Sequence, residues 1–310
     1  MLSPQTLLVA RLRKLKPAQL RLLAELGQST ALGLAAARIG MSQPAASRML
    51  GETETVLGLT LHERQGRGLR LTEAGAALAH RATRIQIELF DAAREVAEVA
   101  TGRAGVVRVG AVTGPALSLV LPALTDLQRI SAGFRVEVTV GTSVHLCSEL
   151  RDGKLDFALA RLGAGETQLE ARTMASEPLA LVVRRGHPIL ALPGITADDL
   201  MQYEWVMGDD DTLLTQTVKA RLTELRMPLP QQRVSTSSFL FILALLNQTD
   251  SIAPLAAPVV DSFAGNPSVP FVALPIDLGL TVVPFCLVTR KHSQLTPSAQ
   301  RLADAILAQA

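Results

Sequence analysis

The sequence predicts an α+β protein of several parts: a small helical N-terminal segment, one long helix, and a larger α/β region with two lobes. Three observations support this fold class. A helix–turn–helix pattern occupies residues 32–51, an apolar heptad repeat follows residue 72, and predicted strands alternate with helices from residue 105 onward. A chain of 310 residues, 48% of them hydrophobic and 19% charged, has enough material for two or three such domains.

The helix–turn–helix pattern is carried by the stretch from Ile39 to Leu50. Gly40 can supply the positive φ that ends a first helix, and the hydroxyl of Ser42 can cap a second helix. Helical spacing places Ala46 and Leu50 on one face of that helix, which is therefore expected to be buried. The other face has polar or small side chains and suits the major groove of DNA, although a small exposed helix of any helical domain has a similar pattern. The DNA-contacting residues predicted here are Ser42, Gln43, Pro44, Ala45, Ser47 and Arg48.

Two short segments with alternating apolar residues, 59–64 and 69–72, flank a basic loop that contains glycine, which predicts a β-hairpin. A hairpin directly after a helix–turn–helix is a wing. Three arginines in such a hairpin can lie on a solvated turn, but the neighbouring motif favours contacts with phosphates or with the minor groove. The DNA-contacting residues predicted in and beside the wing are Arg64, Arg67, Arg70 and Thr72.

Charge separates the first 72 residues from the rest of the chain. Residues 1–72 hold ten Lys/Arg and four Glu, a net charge of +6, whereas residues 73–310 hold twenty Lys/Arg and twenty-four Asp/Glu, a net charge of −4. A basic head on an acidic body is typical of a DNA-binding segment joined to a sensory or assembly domain.

The motifs of the head come in a fixed order. After the stretch 35–48 the chain has Leu57-Gly58, Glu63-Arg64, Gly66-Arg67-Gly68 and Leu71-Thr72-Glu73-Ala74-Gly75. In this order and spacing the chain resembles the LysR-type transcriptional regulators of bacteria. The resemblance implies a winged helix–turn–helix domain at residues 15–72, in which the helix after Ser42 reads bases and the loop 66–68 is the wing. His62 and Thr53 stand where the family usually has Phe and Leu, and the segment before Leu15 has no assigned use.

A long helix is predicted after Thr72, whose hydroxyl can cap it, and an apolar stripe runs along this helix. The stripe repeats at alternating spacings of four and three residues, at Leu78, Ala82, Ile85, Leu89, Ala92, Val96 and Val99. Such a stripe packs on its own domain or on a second copy of the chain, and its length favours the second copy. The family resemblance implies the same, with residues 73–104 as dimerisation helix and hinge and a homotetramer built from two homodimers.

From residue 105 the order strand, helix, strand, helix, strand predicts a parallel sheet, and a similar pattern starts again near Gly163. Two α/β lobes that the chain connects twice form a hinged binding fold. This arrangement resembles the effector domain of the family, which looks like a type 2 periplasmic binding protein. The predicted effector-binding domain is 105–310, with lobe one at 105–162 and 268–310 and lobe two at 163–267.

A ligand of such a fold is expected between the lobes, beyond the carboxyl ends of the strands. Arg161, near the end of a strand that leads from one lobe to the other, can pair with a ligand carboxylate or with a carboxylate of the other lobe. Each hydroxyl in this region can bind a ligand or simply cap a helix. The predicted effector-binding residues are Thr113, Gly114, Thr142, Ser143, Arg161, Thr236, Ser237 and Ser238. The effector predicted from them is a small organic molecule, either anionic or polyhydroxylated like a sugar.

Motifs for other chemistry are absent from the sequence. The five histidines are scattered, and no GxSxG, GxGxxG or P-loop pattern occurs. We therefore predict neither catalysis, nor a cofactor, nor a metal site. No apolar run reaches the roughly 18 residues of a membrane helix, and residues 1–14 have no cleavable apolar region, so a cytoplasmic protein without membrane contact is expected.

The predicted function is that of a transcriptional regulator that binds double-stranded promoter DNA sequence-specifically and responds to a small effector. The resemblance implies that it acts as a homodimer or homotetramer and contacts RNA polymerase. An enzyme or solute-binding protein built on the two-lobed fold is the main alternative, but it leaves the wing and the basic head without a use. A regulator whose cleft no longer binds an effector is a further alternative.

Overall fold

The computed structural model describes residues 3–29, 31–65, 68–101, 105–130, 134–263, 266 and 269–309. The chain forms two compact units, Met1–Gly102 and Arg103–Ala310. In the described ranges no helix is both long enough and apolar enough to cross a membrane.

The first unit is helical apart from one hairpin. Its elements, in chain order, are α1 (Pro4–Leu12), α2 (Pro17–Gly27), α3 (Leu32–Arg38), α4 (Gln43–Leu57), β1 (His62–Gln65), β2 (Gly68–Leu71) and α5 (Glu73–Thr101). Apolar side chains of α2, α3 and α4, among them Leu22, Ala36 and Leu50, are almost fully buried and form one core. β1 and β2 pair antiparallel, with His62 opposite Leu71. The predicted winged helix–turn–helix fold is confirmed, and α1 is a helix that the sequence analysis did not predict.

The turn between α3 and α4 has the conformation that the sequence predicts. Gly40 has a φ of 71°, in the left-handed region that glycine adopts without strain. The Ser42 hydroxyl oxygen accepts a hydrogen bond from the backbone N–H of Ala45 at 3.4 Å and caps α4. Ala46 and Thr53 are exposed by 1% or less, so one face of α4 lies in the core and the opposite face lies outside it.

The start of α5 forms a tight junction with the wing. The Thr72 hydroxyl accepts a hydrogen bond from the Gly75 N–H at 3.0 Å and donates one to the Thr60 carbonyl at 2.8 Å, so Thr72 caps this helix as predicted. Gly75 is buried against the carbonyl oxygen of Leu61, and a Cβ at position 75 would overlap that oxygen. Close backbone approach therefore restricts position 75 to glycine.

The apolar stripe of α5 divides into two parts. Leu78 and Ala82 pack against the core of the first unit. Further along, the residues of the stripe are exposed, namely Ile85, Leu89, Ala92, Val96 and Val99. The heptad pattern allowed packing either within the chain or on a second copy. The start of the helix packs within the chain, and the exposed remainder is available to a second copy.

The second unit contains a five-stranded sheet made of β3 (Val106–Ala111), β4 (Arg135–Val140), β5 (Phe157–Ala160), β6 (Leu169–Thr173) and β13 (Cys286–Arg290). The strand order is β4-β3-β5-β13-β6, and β3 is parallel to β4 and β5, as predicted. Helices associated with this sheet are α6 (Thr113–Pro115), which continues through a π-helical segment (Ala116–Val120) into α7 (Leu121–Ile130), then α8 (Ser143–Arg151) and α13 (Pro297–Leu307).

A second sheet is organised around the long strand β7 (Glu177–Arg184), which pairs antiparallel with β10 (Ala253–Ala256), β11 (Phe271–Ala273) and β12 (Thr281–Val282). The short strands β8 (Val206–Met207) and β9 (Val234–Ser235) pair parallel beside it. The remaining elements are a 3₁₀ turn (Pro188–Ala191), α9 (Ala197–Met201), α10 (Leu213–Glu224), α11 (Phe239–Gln248) and α12 (Ala257–Ser262). Trp205, at 1% exposure, lies in the core of this part.

The predicted lobe boundaries at residues 162 and 268 are wrong. β6 pairs with β13 in the first sheet, with Leu169 opposite Arg290, whereas β11 and β12 pair with β7 in the second sheet. We therefore define lobe one as residues 105–174 and 285–309, and lobe two as residues 177–282. The sequence does not reveal these strand pairings, for two reasons. Only Leu169 of β6 is buried, so β6 has a weak strand pattern. The segment 280–289, predicted as one strand, divides into β12 and β13 in different sheets.

Candidate functional site

The first two turns of α4 present the predicted base-contacting side chains on the side away from the core. Gln43 and Arg48 have no hydrogen-bond partner among the described residues, so both are available to an external partner. This face is exposed because Ala46 and Leu50, on the opposite side of the helix, are buried in the core. The exposed residues of the face are Ser42, Gln43, Pro44, Ser47 and Arg48, and Ala45 is half-buried.

The structure describes some of the predicted wing residues and not others. Arg70 lies on β2 and pairs with Glu63 at 3.0 Å, and both side chains are more than half exposed. An exposed pair of this kind is weak and can open when a phosphate approaches. Arg64 lies on β1, and Arg67 lies outside the described residues. The Thr72 hydroxyl is used for the two bonds at the start of α5, which hold it within the first unit.

The wing is bonded to the end of α4 through Glu54, a residue that the sequence analysis did not single out. One Glu54 carboxylate oxygen accepts hydrogen bonds from the backbone N–H of Leu61 at 2.7 Å and of His62 at 3.3 Å, and lies 3.0 Å from the Nδ1 of His62. His62 is half-buried rather than part of the core. Where the family usually has Phe, this chain therefore has a polar side chain that links the wing to α4.

In lobe one the carboxyl ends of the parallel strands bring several predicted effector residues into one region. The Thr142 hydroxyl accepts a hydrogen bond from the His145 N–H at 3.4 Å and caps α8, and Thr113 begins α6. The Ser143 hydroxyl accepts a hydrogen bond from the backbone N–H of Arg161 at 3.1 Å, which joins the start of α8 to the end of β5. The hydroxyls of Thr142 and Ser143 therefore already have internal partners.

Arg161 forms an ion pair between the lobes, which was the alternative to ligand binding. Its Nη2 donates to Glu177 Oε2 at 2.7 Å, and its Nε donates to the Val283 carbonyl at 2.8 Å. The Arg161 and Glu177 side chains are 11% and 8% exposed. Since Glu177 begins β7 in lobe two, the guanidinium that was predicted to meet a ligand carboxylate meets one of the protein's own carboxylates instead.

The second oxygen of Glu177 lies against Gly114. Glu177 Oε1 is buried and has no hydrogen-bond partner among the described residues. A Cβ at position 114 would overlap this oxygen, so the absence of a side chain at Gly114 leaves room for the Glu177 carboxylate. Glu177 is the residue of this region that sequence reasoning missed, and its position at the start of a buried strand was the signal that could have revealed it.

In lobe two the predicted hydroxyls lie at the end of β9 and the start of α11. The Thr236 hydroxyl accepts a hydrogen bond from the Ser238 N–H at 3.1 Å, and the Ser238 hydroxyl accepts one from the Phe241 N–H at 3.3 Å. Ser237 is exposed and has no hydrogen bond in the described part of the chain. Capping therefore uses two of the three residues, and Ser237 is available.

Acidic side chains lie beside these hydroxyls. Asp209 follows β8 and accepts a hydrogen bond from Ser235, and Asp210 pairs with Lys219 at 2.6 Å. Across the ranges that the structure describes, no three His, Cys, Asp or Glu residues are grouped so as to hold a metal ion.

A separate recess of about 270 Å³ lies at the other end of β8 and β9 in lobe two. Its lining includes Tyr203, Arg233 and Ser251, and Arg233 pairs with Glu204 at 2.9 Å. None of the predicted effector residues lines this recess.

Two family models match almost the whole chain. The model described as a bacterial regulatory helix-turn-helix protein of the lysR family matches residues 17–76, and the model of the LysR substrate binding domain matches residues 100–310. The chain belongs to the LysR family. The LysR proteins are DNA-binding transcriptional regulators with a substrate-binding domain, not enzymes, so the predicted family, fold and general function are confirmed.

Individual LysR regulators resemble the chain over most of its length. The HTH-type transcriptional regulator GbpR of Azospirillum brasilense is 33% identical over 298 residues, which are 95% of this chain and 86% of that protein. GbpR of Rhizobium radiobacter is 36% identical over 251 residues, which are 80% of this chain and 83% of that protein. The crystal structure of full-length CbnR complexed with its target DNA has a TM-score of 0.61 at 21% identity, covers 96% of this chain and 100% of CbnR, and supports the fold.

Proposed function

We propose that α4 reads the bases of the target promoter in the major groove through Ser42, Gln43, Pro44, Ala45, Ser47 and Arg48, and that the wing holds the duplex through Arg64, Arg67 and Arg70. One observation carries this proposal. On a helix whose other face is buried, Gln43 and Arg48 are exposed and have no partner among the described residues. An amide suits the edge of adenine and a guanidinium suits the edge of guanine.

The exposed part of the α5 stripe supports a homodimer, and we propose a homotetramer made of two such dimers. Covering apolar side chains such as Leu89, at 56% exposure, and Val96, at 67%, with a second copy lowers the free energy of the pair. Two heads related by a two-fold axis then meet an inverted repeat in the DNA. As a regulator of bacterial promoters, the protein would act in the cytoplasm and contact RNA polymerase there.

For the effector, the polyhydroxylated class is favoured over the anionic class. Arg161 was the group expected to bind an anion, and its charge is balanced by Glu177 at 2.7 Å. The other groups of the proposed site are hydroxyls or the small Gly114, with Asp209 close by on lobe two. An uncharged ligand rich in hydroxyls can bond to these groups without breaking a buried ion pair, whereas an anion would have to compete with Glu177 for Arg161. The proposed site consists of Thr113, Gly114, Thr142, Ser143, Thr236, Ser237 and Ser238, with Arg161 and Glu177 as its floor.

A thermal-shift panel of neutral sugars and polyols against small mono- and dicarboxylates, on the full-length chain, tests the effector class. We expect a neutral polyol to raise the melting temperature and Thr142→Ala or Ser237→Ala to reduce that rise. Ser251→Ala, in the separate recess, is the control and should leave the rise unchanged. Stabilisation by a carboxylate that disappears in Arg161→Met would establish the anionic class instead.

The regulatory step is tested by a DNA mobility shift. A duplex enriched by the full-length protein from a randomised pool is titrated with and without the ligand found in the panel. A ligand that changes the shifted pattern supports effector control, since it must bind two states of the protein unequally. A ligand that binds and leaves the pattern unchanged supports the alternative of a regulator that binds DNA constitutively.

A further inference from the structure

Helix α1 lies before the part of the chain that the helix-turn-helix family model matches, which begins at residue 17. It is nevertheless attached to the first unit. Leu8 and Leu12 pack against the core of that unit, and the Ser3 hydroxyl caps α1 by accepting a hydrogen bond from the Thr6 N–H at 3.2 Å. The position of α1 is therefore fixed with respect to α4.

Arg11 makes a polar link between the two helices. Its Nη1 donates a hydrogen bond to the carbonyl oxygen of Leu57, the last residue of α4, at 2.9 Å. Gly58 then leaves the helix with a φ of 68°, and the N–H groups of Gly58 and Leu59 both bond to the Glu54 carbonyl. α4 has no basic residue in its own last turn, so Arg11 supplies the positive charge that stabilises a helix C-terminus.

The same turn of α4 holds the wing. The Glu54 side chain accepts the backbone N–H of Leu61 at 2.7 Å and of His62 at 3.3 Å. Within the last four residues of α4, one bond therefore leads to α1, and the Glu54 carboxylate bonds to Leu61 and His62 at the start of the wing. The direction of the wing relative to the base-reading face depends on this turn.

We infer that Arg11 is a positioning residue for DNA recognition: it fixes the C-terminal turn of α4, so that the helix and the wing engage one duplex together. Arg11 is half-buried and lies at the opposite end of α4 from Gln43, so it acts without touching DNA. The inference rests on the proposal that α4 reads bases, and it gives the segment before residue 17 a role in binding.

The test compares the full-length wild type with Arg11→Ala, Arg11→Gln and Arg13→Ala. Arg13 is exposed and has no side-chain partner among the described residues, so Arg13→Ala removes the same charge two residues away without removing a contact. The probes are a duplex enriched by the wild type from a randomised pool and a scrambled duplex of equal length. Affinities are measured over a series of salt concentrations, below the lowest melting transition of the variants.

Arg11→Ala is expected to weaken binding of the enriched duplex by about five- to tenfold, and of the scrambled duplex by less than about twofold, with an unchanged salt slope. Arg11→Gln keeps an N–H donor, so it should weaken binding of the enriched duplex by less than Arg11→Ala does. If Arg11→Ala does not fold, Arg11→Gln provides the test instead. Arg13→Ala should preserve the ratio of the two affinities.

Two results would overturn the inference. An equal loss on both duplexes, with the salt slope reduced by about one, would make Arg11 a phosphate contact. A lowered melting temperature with an unchanged affinity ratio would make α1 a purely stabilising element. If the wild type enriches no sequence from the pool, base reading by α4 fails, and this outcome is separate from any effect of Arg11.

Discussion

The exposed face of α4 and the region around Arg161 are both rich in hydrogen-bonding side chains. They differ in whether those side chains have partners within the chain. On α4 the amide of Gln43 and the guanidinium of Arg48 have no partners among the described residues. Around Arg161 the guanidinium is paired with the Glu177 carboxylate, and the Ser143 hydroxyl accepts a hydrogen bond from the backbone N–H of Arg161. The exposed face of α4 is thus available to an external partner. In the described part of the chain most polar groups around Arg161 already have internal partners, with Glu177 Oε1 an exception, so a ligand there must exchange bonds as well as add them.

The largest effect that this comparison predicts is on stability in the cleft. Arg161→Met leaves the Glu177 carboxylate buried without its partner, and we expect the free energy of unfolding to fall by about 3–5 kcal/mol. Urea denaturation followed by the fluorescence of Trp205, the single tryptophan of the chain and a core residue of lobe two, measures the loss. The double variant with Glu177→Gln should recover much of it. A loss below about 1 kcal/mol would mean that the pair is solvated and the cleft open.

On α4 the corresponding change should leave stability intact and affect recognition. Gln43→Ala removes an exposed amide, so we expect discrimination between the enriched duplex and single-base variants to fall by about 1–3 kcal/mol at one base pair. Fluorescence anisotropy titrations provide the measurement, and Thr55→Ala, an exposed position near the other end of α4, is the control. Equal losses on specific and random duplexes would count against base reading by Gln43.

The wing should give a smaller effect that does not depend on sequence. Arg70→Ala removes one cation whose exposed partner, Glu63, contributes little to folding, so the unfolding free energy should change by less than about 0.5 kcal/mol. Binding of all duplexes should weaken alike, and the salt slope should fall by about one. A loss confined to the enriched duplex would instead assign base contacts to the wing.

The smallest predicted effect concerns an internally paired carboxylate away from the cleft. Burial raises the pKa of Glu166, but the Gln168 N–H at 2.8 Å and the Arg151 guanidinium at 2.6 Å outweigh it and hold that pKa below its ordinary value. The stabilisation is present above the unfolded pKa of about 4.3 and is lost as pH falls through the lower folded value. Glu166→Gln should therefore cost less than about 1 kcal/mol at neutral pH and nothing in acid, as followed by thermal melts across pH. An equal cost at every pH would show that packing, not charge, is affected.

The head was predictable from the sequence because its signals are local. Gly40, Ser42 and Gly58 mark the ends of α3 and α4 by φ and capping, and the alternation of Ala46 and Leu50 with polar residues identifies the buried face. Helix α1 escaped prediction although Pro4 begins it and Ser3 caps it, because it has only nine residues and four of its five apolar residues form one continuous run, 7–10, which gives a weak helical period.

In the second unit the parallel strands were predictable and the lobe boundaries were not. β3, β4 and β5 follow one another with helices between them, so their pairing follows from chain order. β6 and β13 meet across more than a hundred residues, and no local pattern reports such a pairing. The same reason explains why Arg161 was singled out without its partner Glu177: which carboxylate meets a given guanidinium is set by the tertiary fold.

The exposed stripe of α5 also ties the behaviour of this protein to its abundance. If Ile85, Leu89 and Val99 are covered only when two chains meet, the number of paired heads grows with the square of the chain concentration while that concentration stays below the dimer Kd. Occupancy of the promoter then rises more steeply than the copy number of the protein. A cell could thereby set the threshold of this regulator through its synthesis rate alone, before any effector is present.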